Sequence, residues 1–432
     1  MFETLRNAWK LEDLRKKMLY TVMIILVFRI GAAIPVPFVV PGVLAGAAIM
    51  EGGLLSYFSM LTGGAFAQAT LFALGISPYI TASIIMQLLQ VAIPALERMA
   101  KEGEAGKKKI NKITRRATLA LSVIMAAAFY VMNRNIPGAI RYTSGFEGVF
   151  SMFVIIMSFA VGAMLIVWLG EAVDKRGVGN GISIILFAGI ISGGPNVLML
   201  LYSRLELAAA GATRYYAFVP LIVIIFLGLI TAIVLMNQSE RRIPIQYSKR
   251  VVGRKMYGGQ SSFIPVKVMM SGVLPIIFAG ALLSIPQMIS AFANPTPGGI
   301  FATFLGWFNY DHAVYAVLYL ILIIAFNYFY VSIQYNPIQM SNDLRKNNGA
   351  IPGIRPGKPT SDFIAKVIAK ITLVGALFLA MVAVLPILIG AVMALPIALG
   401  GTSVIIIVSV SLDTVRSLES QMMMRHYKGF LE

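Results

Sequence analysis

A chain of 432 residues that is 58% hydrophobic, 12% charged and averages +0.82 in mean hydropathy cannot fold as a soluble globule. A soluble domain of that size has nowhere to hide so much apolar area. The net charge of +18, from 36 Lys and Arg against 18 Asp and Glu, lies mostly in loops beside apolar runs, so lipid headgroups and topology take precedence over nucleic acid. With no cysteine, disulfides, thiolate metal sites and cysteine nucleophiles are excluded, and the only histidines, His312 and His426, fall outside the apolar runs.

Residues 1–18 alternate apolar and charged positions at helical spacing, without the apolar stretch and small-residue cleavage site of a signal peptide. Phe2, Leu5, Trp9 and Leu14 form a stripe suited to the membrane interface; an ordinary charged flank is the competing reading. Ten apolar spans follow, near 18–37, 70–93, 117–133, 149–170, 182–203, 216–236, 268–290, 313–334, 367–391 and 400–415. Most have the length that crosses a hydrocarbon layer about 30 Å thick. Between spans 1 and 2 lies a shorter apolar piece, residues 54–67, broken by Gly63-Gly64. It is too short to cross and reads as a re-entrant half-helix or a surface helix.

Lys and Arg fall in alternate loops. The segment before span 1 holds five, 94–116 eight, 171–181 two, 237–267 seven, 335–366 five, and the stretch after 415 three. The opposite loops hold only Arg134, Arg141, Arg204 and Arg214. Thirty against four predicts that both termini are cytoplasmic. Two of the basic loops are long. In 237–267, IPIQYSKR and RKMYGG predict a short hairpin. In 335–366, IPGIRPGKP predicts a stiff projecting tip carrying Arg355 and Lys358.

Most spans contain no Asp, Glu or His; Arg29 and Lys370 sit near span ends, where they reach headgroups. No mid-membrane carboxylate stands out, which weighs against an ion-coupled secondary transporter, the main alternative. No HExxH, paired membrane aspartates or G-x-S-x-G elbow is present. The run Gly177–Gly181 follows a membrane helix and lacks nucleotide-loop spacing, so a tight reversal between two spans is expected. No catalytic residue, metal or cofactor is expected.

Several segments, taken in order, resemble the SecY family, the channel subunits of the bacterial Sec translocon. They are FRIG with IPVP ending span 1, ALGISPYITASII opening span 2, KEGE at 101–104, WLGE at 168–171 and GVGNGIS at 177–183. GVLP at 272–275, Asn336-Pro337, IPGIRPG at 351–357 and GGTS at 400–403 complete the set. Together they extend over essentially the whole chain.

The resemblance implies an all-α polytopic membrane protein. Two inverted, pseudo-symmetric halves of five spans (18–203 and 216–415) would clasp a pore, with a cytoplasmic amphipathic segment at 1–17, a tail at 416–432 and a re-entrant plug near 54–67. An odd number of spans per half forces the inversion. The implied function is a passive channel in the bacterial plasma membrane that moves unfolded secretory polypeptides across and releases membrane segments sideways. A motor ATPase or ribosome would supply the energy. The resemblance assigns Ile76, Ile80, Leu186, Ile277, Ala281 and Ile406 to a pore ring, and Tyr57, Phe58, Leu61, Gly63 and Gly64 to the plug. Gln87 and Asn327 are polar candidates for a lateral gate between spans 2–3 and 7–8. Arg254, Lys255, Arg355 and Lys358 would dock SecA or ribosomal RNA. Implied partners are SecE-like and SecG-like small membrane subunits, a SecA-type motor, the ribosome, signal-sequence-bearing polypeptides and membrane lipids.

Overall fold

Every predicted span falls on a helix. The computed structural model describes residues 2–44, 46, 59, 62–209, 213–247, 250–252, 255–257, 261–293, 299–308, 312–393 and 401–428. The first half comprises α1 (Phe2–Lys10), α2 (Glu12–Gly31), α3 (Ser77–Ala92), α4 (Pro94–Lys101), α5 (Glu104–Arg134), α6 (Gly145–Arg176), α7 (Gly181–Ser192) and α8 (Gly194–Ala209). After α9 (Arg214–Gln238) come strands β1 (Glu240–Tyr247), β2 (Arg250–Val252), β3 (Lys255–Tyr257) and β4 (Ser261–Lys267). Then follow α10 (Leu274–Ala293), α11 (Ile300–Gly306), α12 (Ala313–Gln334), α13 (Pro337–Lys346), strand β5 (Gly349–Ala350), α14 (Lys358–Met393) and α15 (Gly401–Lys428).

Among the described residues, seven helical stretches are each long and apolar enough to cross a membrane, and the pair α3/α4, bent by 101°, adds an eighth. Span 1 lies on α2, whose 20 residues reach about 30 Å at 1.5 Å each, although its first turns carry Glu12, Asp13, Arg15, Lys16 and Lys17. Span 7 lies on α10, which carries Pro286 inside it. Two boundaries move from their expected places. Span 1 ends at Gly31, where the Phe72 ring packs so closely that a Cβ would stand 2.1 Å from it. Span 2 starts at Ser77 rather than near 70, since residues 62–76 form successive turns; Gly75 is left-handed (φ 56°) and Pro78 sits in the first turn of α3.

The helix pairing supplies the repeat that the sequence hides. In the first half, span 2 packs on 3, 3 on 4 and 4 on 5, while span 1 lies against 4 and 5. In the second, 7 packs on 8, 8 on 9 and 9 on 10, while 6 lies against 9 and 10; a contact of 7 with 9 is the one addition. The halves meet where α10 touches α3 and α5, where α7 meets α15, and where α8 meets α9.

The expected hairpin pairs differently. β1 runs antiparallel to β4, from Glu240↔Lys267 to Gln246↔Ser261, and on its other edge pairs with β5 through Gln246↔Ala350 and Tyr247↔Gly349. Lys255–Tyr257 of RKMYGG instead pairs with β2, Val252 facing Lys255. Alternation sets the register of β1. Ile243 and Ile245 share a buried face and join Val266, Leu344, Ile351 and Ile364 in one core. That sheet fastens the two long basic loops to each other.

The N-terminal stripe is divided. Leu14 and Ala8 are buried against Val178 and Leu418, and α1 docks on α15 through Thr4 Oγ1 to Glu419 Oε1 (3.1 Å). Lys17 Nζ also reaches Gln421 Oε1 (2.9 Å). Trp9 stays 48% exposed, and the side chains of Phe2 and Leu5 lie outside the described residues. The segment is therefore held at least partly by the chain's own last helix.

Candidate functional site: an apolar core shared by the two halves

Three apolar cores run through the membrane region. One belongs to the second half and one to the outer part of the first. The third joins them, gathering Ile24 and Phe28 of α2, Phe72, Ile76, residues of α6 and α7, and Ile406 and Val410 of α15. Ile80 and Ile277 pack against it, partly buried. Five of the six expected ring residues thus converge from spans 2, 5, 7 and 10. Ile76 and Ile406 are 4% and 2% exposed. Ala281, one turn further along α10, is half-buried and is not in that core. Ile76 caps α3 from outside it, yet Ile80 N–H still donates to Ile76 O at 3.1 Å, so the two side chains keep the same-face relation expected of residues four apart.

Aromatic rings back this shared core, and sequence reasoning passed over them. Phe28 and Phe72 stack with centroids 5.8 Å apart and planes 7° from parallel. The close approach at Gly31 described above makes room for this pair, and the glycine of FRIG is the signal that was available. Leu186 is positioned by the turn before it. Asn180 Oδ1 accepts from Ser183 N–H (3.0 Å) as an N-cap, and Asp174 Oδ1 accepts from Gly181 N–H (2.7 Å). Val178 N–H donates to Thr21 Oγ1 (3.1 Å), so the Gly177–Gly181 run is the tight reversal expected. A Cβ at Gly181 would lie 2.0 Å from Gly170 O. Gly181→Ala is expected to push α7 off α6 and destabilise the chain by about 1–3 kcal/mol, lowering the midpoint of thermal unfolding in detergent.

Near this core, Gly63 and Gly64 adopt left-handed backbone (φ 65° and 87°). Gly63 O accepts from Arg29 Nη1 (3.3 Å), and a Cβ there would meet Ser192 Oγ at 2.2 Å. Gly63 is therefore a packed corner held by Arg29, while Gly64 beside it has open space around it. Tyr57, Phe58 and Leu61 lie outside the described residues.

The structure separates the two polar gate candidates. Gln87 Nε2 donates along its own helix to Ser83 Oγ (3.4 Å). Asn327 is 3% exposed; its Oδ1 accepts from Ser271 Oγ and its Nδ2 donates to Thr372 O (3.0 Å). Those bonds tie α12 to α14 and to the lead into α10, inside the second half. Of the docking candidates, Arg355 and Lys358 are exposed on a tip held by Thr360 Oγ1 to Arg355 O (2.8 Å) and Ser341 Oγ to Gly357 O (2.9 Å). Arg254 lies outside the described residues; Lys255 opens β3, its side chain likewise outside. No group of three or more metal-ligating side chains occurs among the described residues.

Apolar helices in two similarly packed halves, joined by one shared apolar core, define a polytopic membrane fold. Residues 70–415 match the SecY family model. Protein translocase subunit SecY of Halalkalibacterium halodurans is 41% identical over 438 residues, covering 100% of both chains. Those of Streptomyces galbus and Mycobacterium tuberculosis are each 39% identical, again over 100% of both. The chain belongs to the SecY family and is a protein-translocation channel subunit with multiple membrane spans. Among solved structures, a protein-conducting channel superposes with TM-score 0.64 at 21% identity, covering 94% of this chain and 92% of that one. The Sec61 channel of a canine ribosome-channel complex gives 0.61 at 19% identity, with the same coverage. None of these relatives supports the transporter alternative.

Proposed function

We propose that Ile76, Ile80, Leu186, Ile277 and Ile406 form the ring that seals this channel at rest and yields around a passing chain, with Ala281 at its margin. The convergence of these side chains from both halves into one apolar core carries the reading. A neck lined only by hydrocarbon excludes water and ions when empty, and an extended polypeptide can displace soft side chains without breaking hydrogen bonds. Translocation of a secretory precursor into sealed vesicles containing the purified chain and its companions is the direct test; vesicles that never protect the precursor would overturn the assignment.

Residues 54–67, including Tyr57, Phe58, Leu61, Gly63 and Gly64, form the plug that seats on this ring. A related SecY has a plug domain that stabilises the closed state and maintains a membrane seal. Deleting 57–66 is expected to raise the resting ion conductance of reconstituted channels; conductance equal to that of the intact chain counts against the plug.

The lateral exit opens between spans 2–3 and 7–8. The contact of α10 with α3 and α5 supports that seam better than the bonds of Asn327 do. The halves are 18–203 and 216–415, flanked by segments 1–17 and 416–432. The basic loops, including Arg254, Lys255, Arg355 and Lys358, face the cytoplasm with both termini and dock a SecA-type motor or the ribosome, which supply the energy. A Sec61 relative is seen in a ribosome-channel complex. The membrane is the bacterial plasma membrane, and SecE-like and SecG-like subunits complete the assembly.

A further inference from the structure

On the membrane face opposite the basic loops, cations are rare. Two of its four arginines nevertheless converge on a single ring at the joint between the halves. The guanidinium carbon of Arg204, on α8, stands 5.8 Å from the Tyr215 centroid, and that of Arg214, at the start of α9, stands 5.0 Å from it. Arg214 Nη2 donates to the Tyr215 hydroxyl (3.1 Å). The ring is a fixed platform, 6% exposed and packed with Phe218, Ile222 and Ile389.

Neither guanidinium has a carboxylate within 4.0 Å among the described residues, and Arg204 Nε is buried with no hydrogen-bond partner. Two cations gathered on one aromatic ring repel each other, and cation–π contacts hold them without neutralising them. The first turn of α9 adds to the same field. It contains no acidic residue, and the Thr213 side chain does not cap it, so the positive end of the helix dipole is not offset by a side chain there.

We infer that this cluster binds the phosphate of a lipid headgroup across the joint between the halves. Guanidinium forks match phosphate oxygens in geometry as well as charge. The surroundings select a lipid over a free anion. Tyr202 and Tyr216 stand exposed nearby in the chain, as aromatic side chains do at headgroup level. Further along α9, Ile224 and Leu227 are 66% and 58% exposed, offering hydrocarbon for acyl chains to lie against.

Native mass spectrometry of the full chain with its co-purifying subunits, delipidated and titrated with phosphatidylglycerol, tests this. The pair Arg204→Gln with Arg214→Gln is expected to retain one lipid fewer per chain, while Arg134→Gln with Arg141→Gln retains the full number. An unchanged number, or an equal loss in the second pair, overturns the site. Displacement of that lipid by millimolar inorganic phosphate overturns the lipid assignment in favour of a free anion. Should the glutamine pair fail to fold, Arg204→Lys with Arg214→Lys keeps both charges but loses the planar fork and is expected to bind about tenfold more weakly; undiminished binding overturns the site equally. Lipid count is read without translocation, so failure here and failure of the channel mechanism register separately.

Discussion

Changing Ile76, Ile80 and Ile406 together to asparagine is expected to turn the resting channel into an ion leak of at least about tenfold higher conductance. On the proposed reading the ring excludes water because an apolar lining offers no polar groups in return for the hydrogen bonds that water loses on entry. Three amides supply such groups from two spans, one in each half. Every 1.4 kcal/mol recovered by water in the neck raises its occupancy about tenfold, and a buried isoleucine contributes about 1.5–3 kcal/mol of apolar burial. Ala281→Asn provides the comparison. Ala281 lies outside the joining core, and its carbonyl already accepts from Ser284 Oγ (2.7 Å), so its substitution is expected to change conductance far less. Planar-bilayer recordings on monodisperse protein decide the matter. Equal leaks from both variants would mean that the neck lies elsewhere along α10.

Reversing the charge at the tip is expected to have the second large effect. Arg355→Glu should lower motor-driven translocation about tenfold or more while leaving membrane insertion and the unfolding midpoint unchanged. The backbone of the tip is held independently of that side chain. Ile351 is buried in the sheet's core, Gly353 and Gly357 take φ of 78° and 108°, and Ser341 and Thr360 bond the carbonyls of Gly357 and Arg355. An exposed substitution on such a frame costs the fold within about 0.5 kcal/mol. Reversing a docking charge replaces an attraction with a repulsion of several kcal/mol, strongest at low salt. Precursor protection assays in vesicles across a salt series measure both parts. Normal translocation by the variant would remove the tip from the docking surface.

The spans were legible because they are written in bulk chemistry: apolar length places the helices. What required coordinates was set by contacts distant in sequence. The start of α3 at Ser77 depends on residues 62–76 being tied to the end of α2, with Leu71 N–H donating to Ile34 O (2.9 Å) and Val36 N–H to Ala69 O (3.2 Å). No local propensity reveals that. The hairpin was misread because Ile243 and Ile245 select a partner by the buried face available to them, and part of that face comes from the other loop. Asn327 looked like a seam residue because a polar group in an apolar span announces a partner without saying on which side it stands. The ring residues came from family resemblance; hydropathy alone cannot tell an isoleucine facing a pore from one facing lipid.

The ladder joining β1 to β5 has a mechanical consequence. Antiparallel pairing resists shear along its length, so the Arg355 tip and the strand that leads into α10 are not independent appendages. A load applied at the tip passes through β5 and β1 into β4, which ends at Lys267, seven residues before α10 begins. That helix leans on α3 and α5. Whatever grips the chain from outside the membrane therefore holds the handle of a crank whose far end is the seam between the halves.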